Sequence, residues 1–315
     1  MSRSKVLLLS AVSLIALTPS MALACACGCG VFDVGTGTMM PTAEGGTVWL
    51  EYNYMNQNHN WSGTSSASAA NNPDKQILTN FFTAGVNYMF NRQWGVEAEI
   101  PYWDRTFKTE TDVPNPGDVQ SFNHDNIGDI RVKGVYTGFS DDMSTGVTFG
   151  LKLANGDFTY PNFDRDTSIG TGSTDLLLGA FHQGDLTGDG MFNWFVNGQM
   201  DIPFITQQNY RPGDEFDVAV GSYYNGLDWG KAGKLSPLLQ LITSIREHDT
   251  GMNASQPING IQQSGYQRLL ISPGLEYDIN SVKLYGDVEV PVFQNMNGNQ
   301  LVAPFALKLI VGYKF

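Results

Sequence analysis

No stretch of this chain is apolar for long enough to cross a bilayer as a helix, which takes about 20 residues. The nearest candidate, Val6–Leu17, is short and sits at the N-terminus. Cysteine is scarce: three residues, all within Cys25–Cys29, so no disulfide framework staples the rest of the chain. Positive charge is scarce too, with 18 Lys and Arg against 31 Asp and Glu and a net charge of −13. That balance excludes a nucleic-acid partner, which needs basic patches. Much of the acid falls in presumed loops (Asp112, Asp118, Asp125, Asp164, Asp166, Asp214, Glu215, Asp249) and reads as a solvated surface. There are four histidines, two beside an aspartate (His124-Asp125 and His248-Asp249), but adjacent residues on a strand face opposite ways. No Gly-x-Ser-x-Gly is present and no nucleophile–base pair is recognisable, so an enzyme is not expected. Cys-x-x-Cys-His is absent, which argues against covalent haem. Asp185–Gly190 resembles the start of a calcium loop, but Val196 stands where the twelfth-position Glu is needed, so it reads as a turn.

What the chain does have is alternation. Phe305, Leu307, Leu309, Val311, Tyr313 and Phe315 form an every-other-residue apolar row, and Ala306, Lys308, Ile310, Gly312 and Lys314 fill the other parity. A strand with lipid on one face and water on the other has this pattern. Its terminal aromatic is similar to the signal by which bacterial outer-membrane barrels are recognised for insertion. At the other end, Arg3 and Lys5, the apolar core and Ala22-Leu23-Ala24 make residues 1–24 a secretory signal, with Cys25 as the expected first mature residue.

Twelve amphipathic segments follow: 47–55, 81–90, 95–107, 127–139, 145–154, 175–183, 192–204, 216–224, 236–248, 267–277, 282–293 and 302–315. Each is long enough to cross a bilayer at a tilt. The connections alternate. Residues 91–93, 140–144, 184–190, 230–234 and 278–281 are short; 56–80, 108–126, 155–174, 205–215 and 249–266 are long; 294–301 is intermediate. Short periplasmic turns and long extracellular loops give that phase when both termini are periplasmic. The expected fold is all-β: a transmembrane antiparallel up-and-down β-barrel of twelve strands occupying residues 47–315 as one domain. Its partners are outer-membrane lipid and a small solute. A soluble sandwich would not need the signal, the strict phase and the terminal aromatic together.

With the apolar parity toward lipid, the inward parity carries charge of both signs. Glu97, Glu99, Arg131, Lys133, Glu289 and Lys308 are the candidate lumen residues, among further inward charges at Glu51, Lys152, Asp201, Arg246, Arg268, Glu276, Lys283 and Asp287. Barrels of about 8 strands are filled by their own side chains, and those of 16–18 leave a channel. Twelve lies between, so the charges either brace the lumen or line a narrow path.

Residues 25–46 form a Cys- and Gly-rich periplasmic segment, a candidate plug or a site for a periplasmic partner. Cys25-Ala26-Cys27-Gly28-Cys29 brings three thiols together, and Met39 and Met40 add thioethers. Such soft ligands suit copper, zinc or iron–sulfur iron. A disulfide or lipidation of Cys25 accounts for the same residues in an oxidising compartment. A metal-handling or electron-transfer accessory is therefore one alternative function, and a structural barrel without transport is another.

Three segments carry a family resemblance: Ile127-Gly128-Asp129-Ile130 running to Gly134-Val135-Tyr136; Leu151-Lys152-Leu153-Ala154-Asn155-Gly156-Asp157; and Gly170-Thr171-Gly172-Ser173-Thr174-Asp175 to Gly179. Together they resemble the outer-membrane barrels named for the MetA pathway of phenol degradation. Ala154-Asn155 stands where that family commonly has a Pro-containing pair. The resemblance spans residues 45–315 and implies passive passage of a small solute, apolar or aromatic. It does not carry a substrate over.

Overall fold

The computed structural model describes residues 40–111 and 115–315. Twelve strands among them close into an antiparallel barrel. They are β1 (Gly45–Gln57), β2 (Asp74–Met89), β3 (Trp94–Thr111), β4 in two segments (Asp118–Ile127 and Arg131–Tyr136), β5 (Thr145–Lys152), β6 (Ser173–Asp185), β7 (Phe192–Thr206), β8 (Glu215–Tyr224), β9 (Lys234–Arg246), β10 (Tyr266–Ile279), β11 (Val282–Val302) and β12 (Ala306–Lys314). Each pairs with its sequence neighbours, and β1 closes on β12 from Thr47↔Lys314 to Met55↔Ala306. Closure removes the sheet edge, which matters because hydrocarbon offers no partner for a bare N–H or C=O.

The wall follows from period-two alternation. On β12, Leu309, Val311 and Tyr313 are exposed, while Ala306, Lys308 and Ile310 are buried inward. The same division runs through β1 (Val48, Leu50 out; Trp49, Asn53 in), β3 (Val96, Ile100 out; Glu99 in) and β11 (Leu284, Val288 out; Tyr285, Asp287, Glu289 in). An outer surface this apolar is stable only against lipid. At one position the inward packing requires glycine. Trp49 lies across from Gly85, and its indole occupies the place where a Cβ at residue 85 would sit.

At one end of the barrel the turns are short. The tightest is 280–281, where Asn280 takes a left-handed conformation at φ 52°. Asn is among the few non-glycine residues that adopt it readily. Both Gly45 and Lys314 lie at this turn end, where Gly46 and Phe315 exchange backbone hydrogen bonds of 2.8 and 2.9 Å. The opposite, loop end carries 58–73, 153–172, 207–214 and 247–265.

Several strands reach farther toward the loop end than alternation indicated. β2 starts at Asp74, not at residue 81, and β3 runs to Thr111. The expected connection 108–126 is largely an extended hairpin, paired from Tyr102↔Ile127 to Thr111↔Asp118. The expected connection 294–301 is strand as well: β11 continues to Val302 and pairs with His59–Gly63. These extensions carry polar outward pairs, such as Thr106 donating to Asn123 at 2.9 Å. Above the bilayer the backbone ladder suffices, so no apolar row marks them.

The belt makes a directional prediction. Leu309→Arg, on the apolar belt, is expected to cost about 2–4 kcal/mol of folding stability in liposomes. Val119→Arg, exposed on the β3–β4 extension, is expected to cost little. Urea titration followed by heat-modified gel mobility reads both, and equal costs would contradict this placement of the lipid boundary.

Candidate solute path through the barrel

The interior is divided lengthwise. Along β9–β12 it is packed by a polar network: Gln240 donates to Asp287 at 2.9 Å and to Ser272 at 3.1 Å, while Ser272 and Tyr285 donate to the same Asp287 oxygen at 2.7 and 2.6 Å. Lys283 pairs with Glu276 at 2.7 Å, and the Arg268 guanidinium lies over Tyr266. Mainly along β1–β8 the interior holds two larger cavities, the upper also touched by Arg246 of β9 and the lower by Lys308 and Ile310 of β12. The upper one, about 150 Å³, lies among Glu51, Phe81, Trp103, Arg131, Arg165 and Tyr210. The lower one, about 70 Å³, lies among Trp49, Asn87, Glu97, Lys133, Gln199 and Lys308. Glu51 and Glu99 line both, so the cavities follow one another down the barrel. Above the upper cavity, loops 158–168 and 252–259 frame a vestibule of about 1070 Å³, and Arg165, Asp166, Ser168 and Tyr210 line both spaces.

The lumen candidates fall into place on this frame. Lys133 bridges Glu97 at 2.6 Å and Glu99 at 3.5 Å, tying β4 to β3. Arg131 reaches Asp201 at 3.2 Å. Lys308 sits 3.7 Å from Glu289. Glu97, Glu99, Arg131, Lys133 and Lys308 line one of these two cavities; Glu289 instead lines a pocket of about 20 Å³ on the β10–β12 side, with Met55 and Arg268. Cys25, Cys27 and Cys29 lie outside the described residues, as does Met39. Met40 and Pro41 are described, and they line the lower cavity from within the lumen. Met40 is buried in a cluster with Met89, Val135 and Phe181.

The roof of the upper cavity is loop 157–172, turned into the barrel and fastened at four places. The first is Asp129. β4 breaks at 128–130, where three residues face only Ile100 and Pro101 of β3. Such an extra residue re-aims a side chain, and Pro101 has no N–H to offer the ladder. Asp129, now inward and buried, accepts from the Gly156 N–H at 2.9 Å, the Thr171 N–H at 2.8 Å and the Thr171 hydroxyl at 2.6 Å. Asn155 completes the join, accepting from the Ile130 N–H at 2.9 Å and donating to the Gly128 carbonyl at 3.2 Å. Gly156 and Gly170 run backbone against backbone, leaving no room for a Cβ at either. The three segments of the family resemblance thus meet at this one carboxylate.

The second fastening is Arg105, fully buried on β3. It donates to Thr79 at 2.9 Å and to the Thr167 and Ser168 carbonyls at 2.6 and 3.2 Å. The third is Arg165, whose guanidinium lies over Phe158 and Tyr210, 4.8 and 4.5 Å from the ring centroids. It also donates to the Thr171 carbonyl at 2.6 Å. The fourth is His124: it stacks on Tyr160 with 3.6 Å between centroids and reaches Asp157 at 3.3 Å. Neither Arg105 nor Asp129 was singled out from sequence; a charged residue beside Gly128 in an otherwise apolar wall was the available signal for Asp129.

Asp164, on the same loop, is half-buried, and the loss of solvent pushes its carboxyl from 3.8 up to about 6. Asp74 is near enough to feel its charge, together with those of Asp166 and Lys75. A carboxyl raised in the folded state stabilises below its unfolded pKa and stops doing so as pH rises through the folded value. The loop is therefore held best below about pH 4 and loosens through about pH 6. A nitroxide at position 159, in a background with Cys25, Cys27 and Cys29 changed to Ser, is expected to gain mobility over that rise. Asp164→Asn should abolish the pH dependence, and Asp129→Ala should mobilise the label at every pH. An unchanged spectrum in Asp129→Ala would remove the anchor.

No protein-family model matches the chain. No curated protein is similar to it in sequence. Solved structures do resemble it. A COG4313 outer-membrane channel from Pseudomonas putida F1 superposes with a TM-score of 0.66 at 13% identity, covering 90% of this chain and 100% of that one. The β-domain of the Bordetella autotransporter BrkA superposes at 0.52 with 8% identity, over 86% and 100%. At such identities the likeness is one of fold, and one fold serves a channel and an autotransporter alike. With its closed wall and lipid-facing belt, the chain is a twelve-stranded β-barrel of the bacterial outer membrane.

Proposed function

We propose that the protein is a channel through which a small solute diffuses passively, entering by the vestibule and leaving past Met40 and Pro41. The observation that carries this reading is the lopsided lumen: a barrel built only for structure would gain by packing both sides as β9–β12 are packed. Vestibule, upper cavity and lower cavity share residues in sequence, which supports one continuous route. In this reading the loop end is extracellular, both termini are periplasmic, and transport replaces catalysis as the protein's task.

Two elements restrict the route. Loop 157–172 narrows it from above, and Met40 and Pro41 narrow it from below. Glu51 and Glu99, which line both cavities, stand at the join between them. Charged and polar residues ring both cavities, but Phe81, Trp103, Tyr210, Pro101 and Ile169 in the upper one make its exposed lining as apolar as it is polar. A small amphipathic solute suits that mixed surface.

Planar-bilayer recording tests the proposal. The intact protein is expected to show a small conductance, and deletion of residues 25–44 is expected to raise it several-fold. Bilayers that stay tight with both forms, despite heat-modifiable folded barrels on a gel, would reduce the protein to a structural barrel.

A further inference from the structure

Charge along the route is not balanced, and the imbalance has the same sign in each of its three spaces. In the vestibule Asp164 and Asp166 face Arg165. Around the upper cavity seven carboxylates stand against four cations, Arg131, Lys152, Arg165 and Arg246. Around the lower cavity Glu51, Glu97 and Glu99 stand against Lys133 and Lys308.

The cations are also committed. Arg131 is held by Asp201 at 3.2 Å, Arg246 by Asp249 at 2.6 Å, Lys133 by Glu97 at 2.6 Å and Lys308 by Glu289 at 3.7 Å. Lys152 is paired with Asp175. Arg165 is clasped between the Phe158 and Tyr210 rings. Each cationic head is thus fixed near the wall or the loop, and what the bore presents in excess is carboxylate. A narrow space with low-dielectric walls and one surplus sign focuses the field and concentrates ions of the opposite sign.

We infer that the route is electronegative from mouth to base and passes cationic and neutral solutes in preference to anions. This inference rests on the channel reading and narrows its solute class. An organic cation or an uncharged polar molecule would enter with the field, while a carboxylate or phosphate ester would have to climb it.

The test is a reversal potential in a planar bilayer under a KCl gradient at neutral pH, with K⁺ and Cl⁻ as probes. The intact protein is expected to show K⁺ permeability several-fold above that of Cl⁻. Glu51→Gln with Glu99→Gln is expected to bring the ratio at least halfway to one, whatever its effect on conductance. Acidification is expected to shrink the ratio in the intact protein, which needs no substitution and covers the case where the double variant does not fold. An open channel with a ratio at or below one would overturn the inference and leave the channel reading standing. Absence of any conductance, in the intact and the residue 25–44 deletion forms alike, would remove both.

Discussion

The backbone pairing between β1 and β12 is the constraint on which everything else depends. Hydrocarbon cannot satisfy a sheet edge, so twelve strands are admissible only as a closed ring. The seam from Thr47↔Lys314 to Met55↔Ala306 completes that ring. Once it is closed, side chains have two destinations, lipid or lumen, and the strict alternation on β12 and β3 follows. The ring also encloses more space than inward side chains of ordinary size fill. The protein fills one side with the Gln240–Ser272–Tyr285–Asp287 network and leaves the other with cavities.

That division shapes how the interior charges work. On the packed side, acids and bases neutralise and orient one another, as Lys283 and Glu276 do. On the open side, pairs such as Lys133 with Glu97 brace adjacent strands while remaining part of a lining. Bracing and lining are therefore roles of the same residues at different depths of exposure, not competing accounts of them. The roof loop is governed by a separate device, a one-residue irregularity in β4 that turns Asp129 from the wall into the lumen.

What was legible in the sequence is what lipid enforces. Apolar rows exist only where one strand face meets hydrocarbon, so β3 could be read from Val96 and Ile100 and β12 from Leu309 and Val311, whereas the sixth and eighth segments alternate poorly and left their register open. Where strands rise above the membrane, as in Asp118–Ile127, water accepts any outward side chain and the pattern vanishes although the ladder continues. The lumen parity of Lys133 and Lys308 was readable, but which inward charges face a cavity was not, because that depends on partners from distant strands. The meeting of Gly128-Asp129, Asn155-Gly156 and Gly170-Thr171 was invisible for the same reason, being set by the fold and not by spacing.

The seam has a consequence for how the barrel comes into being. Its two strands are the first and last of the ring, so every other hairpin can form while one pair of edges stays open. Insertion is then a problem of timing: until β12 is in place, β1 and β11 each present a row of unmatched N–H and C=O groups that lipid rejects and that another strand would accept. The wall has no open edge only once the residues at its two described ends, Thr47–Met55 and Ala306–Lys314, are paired.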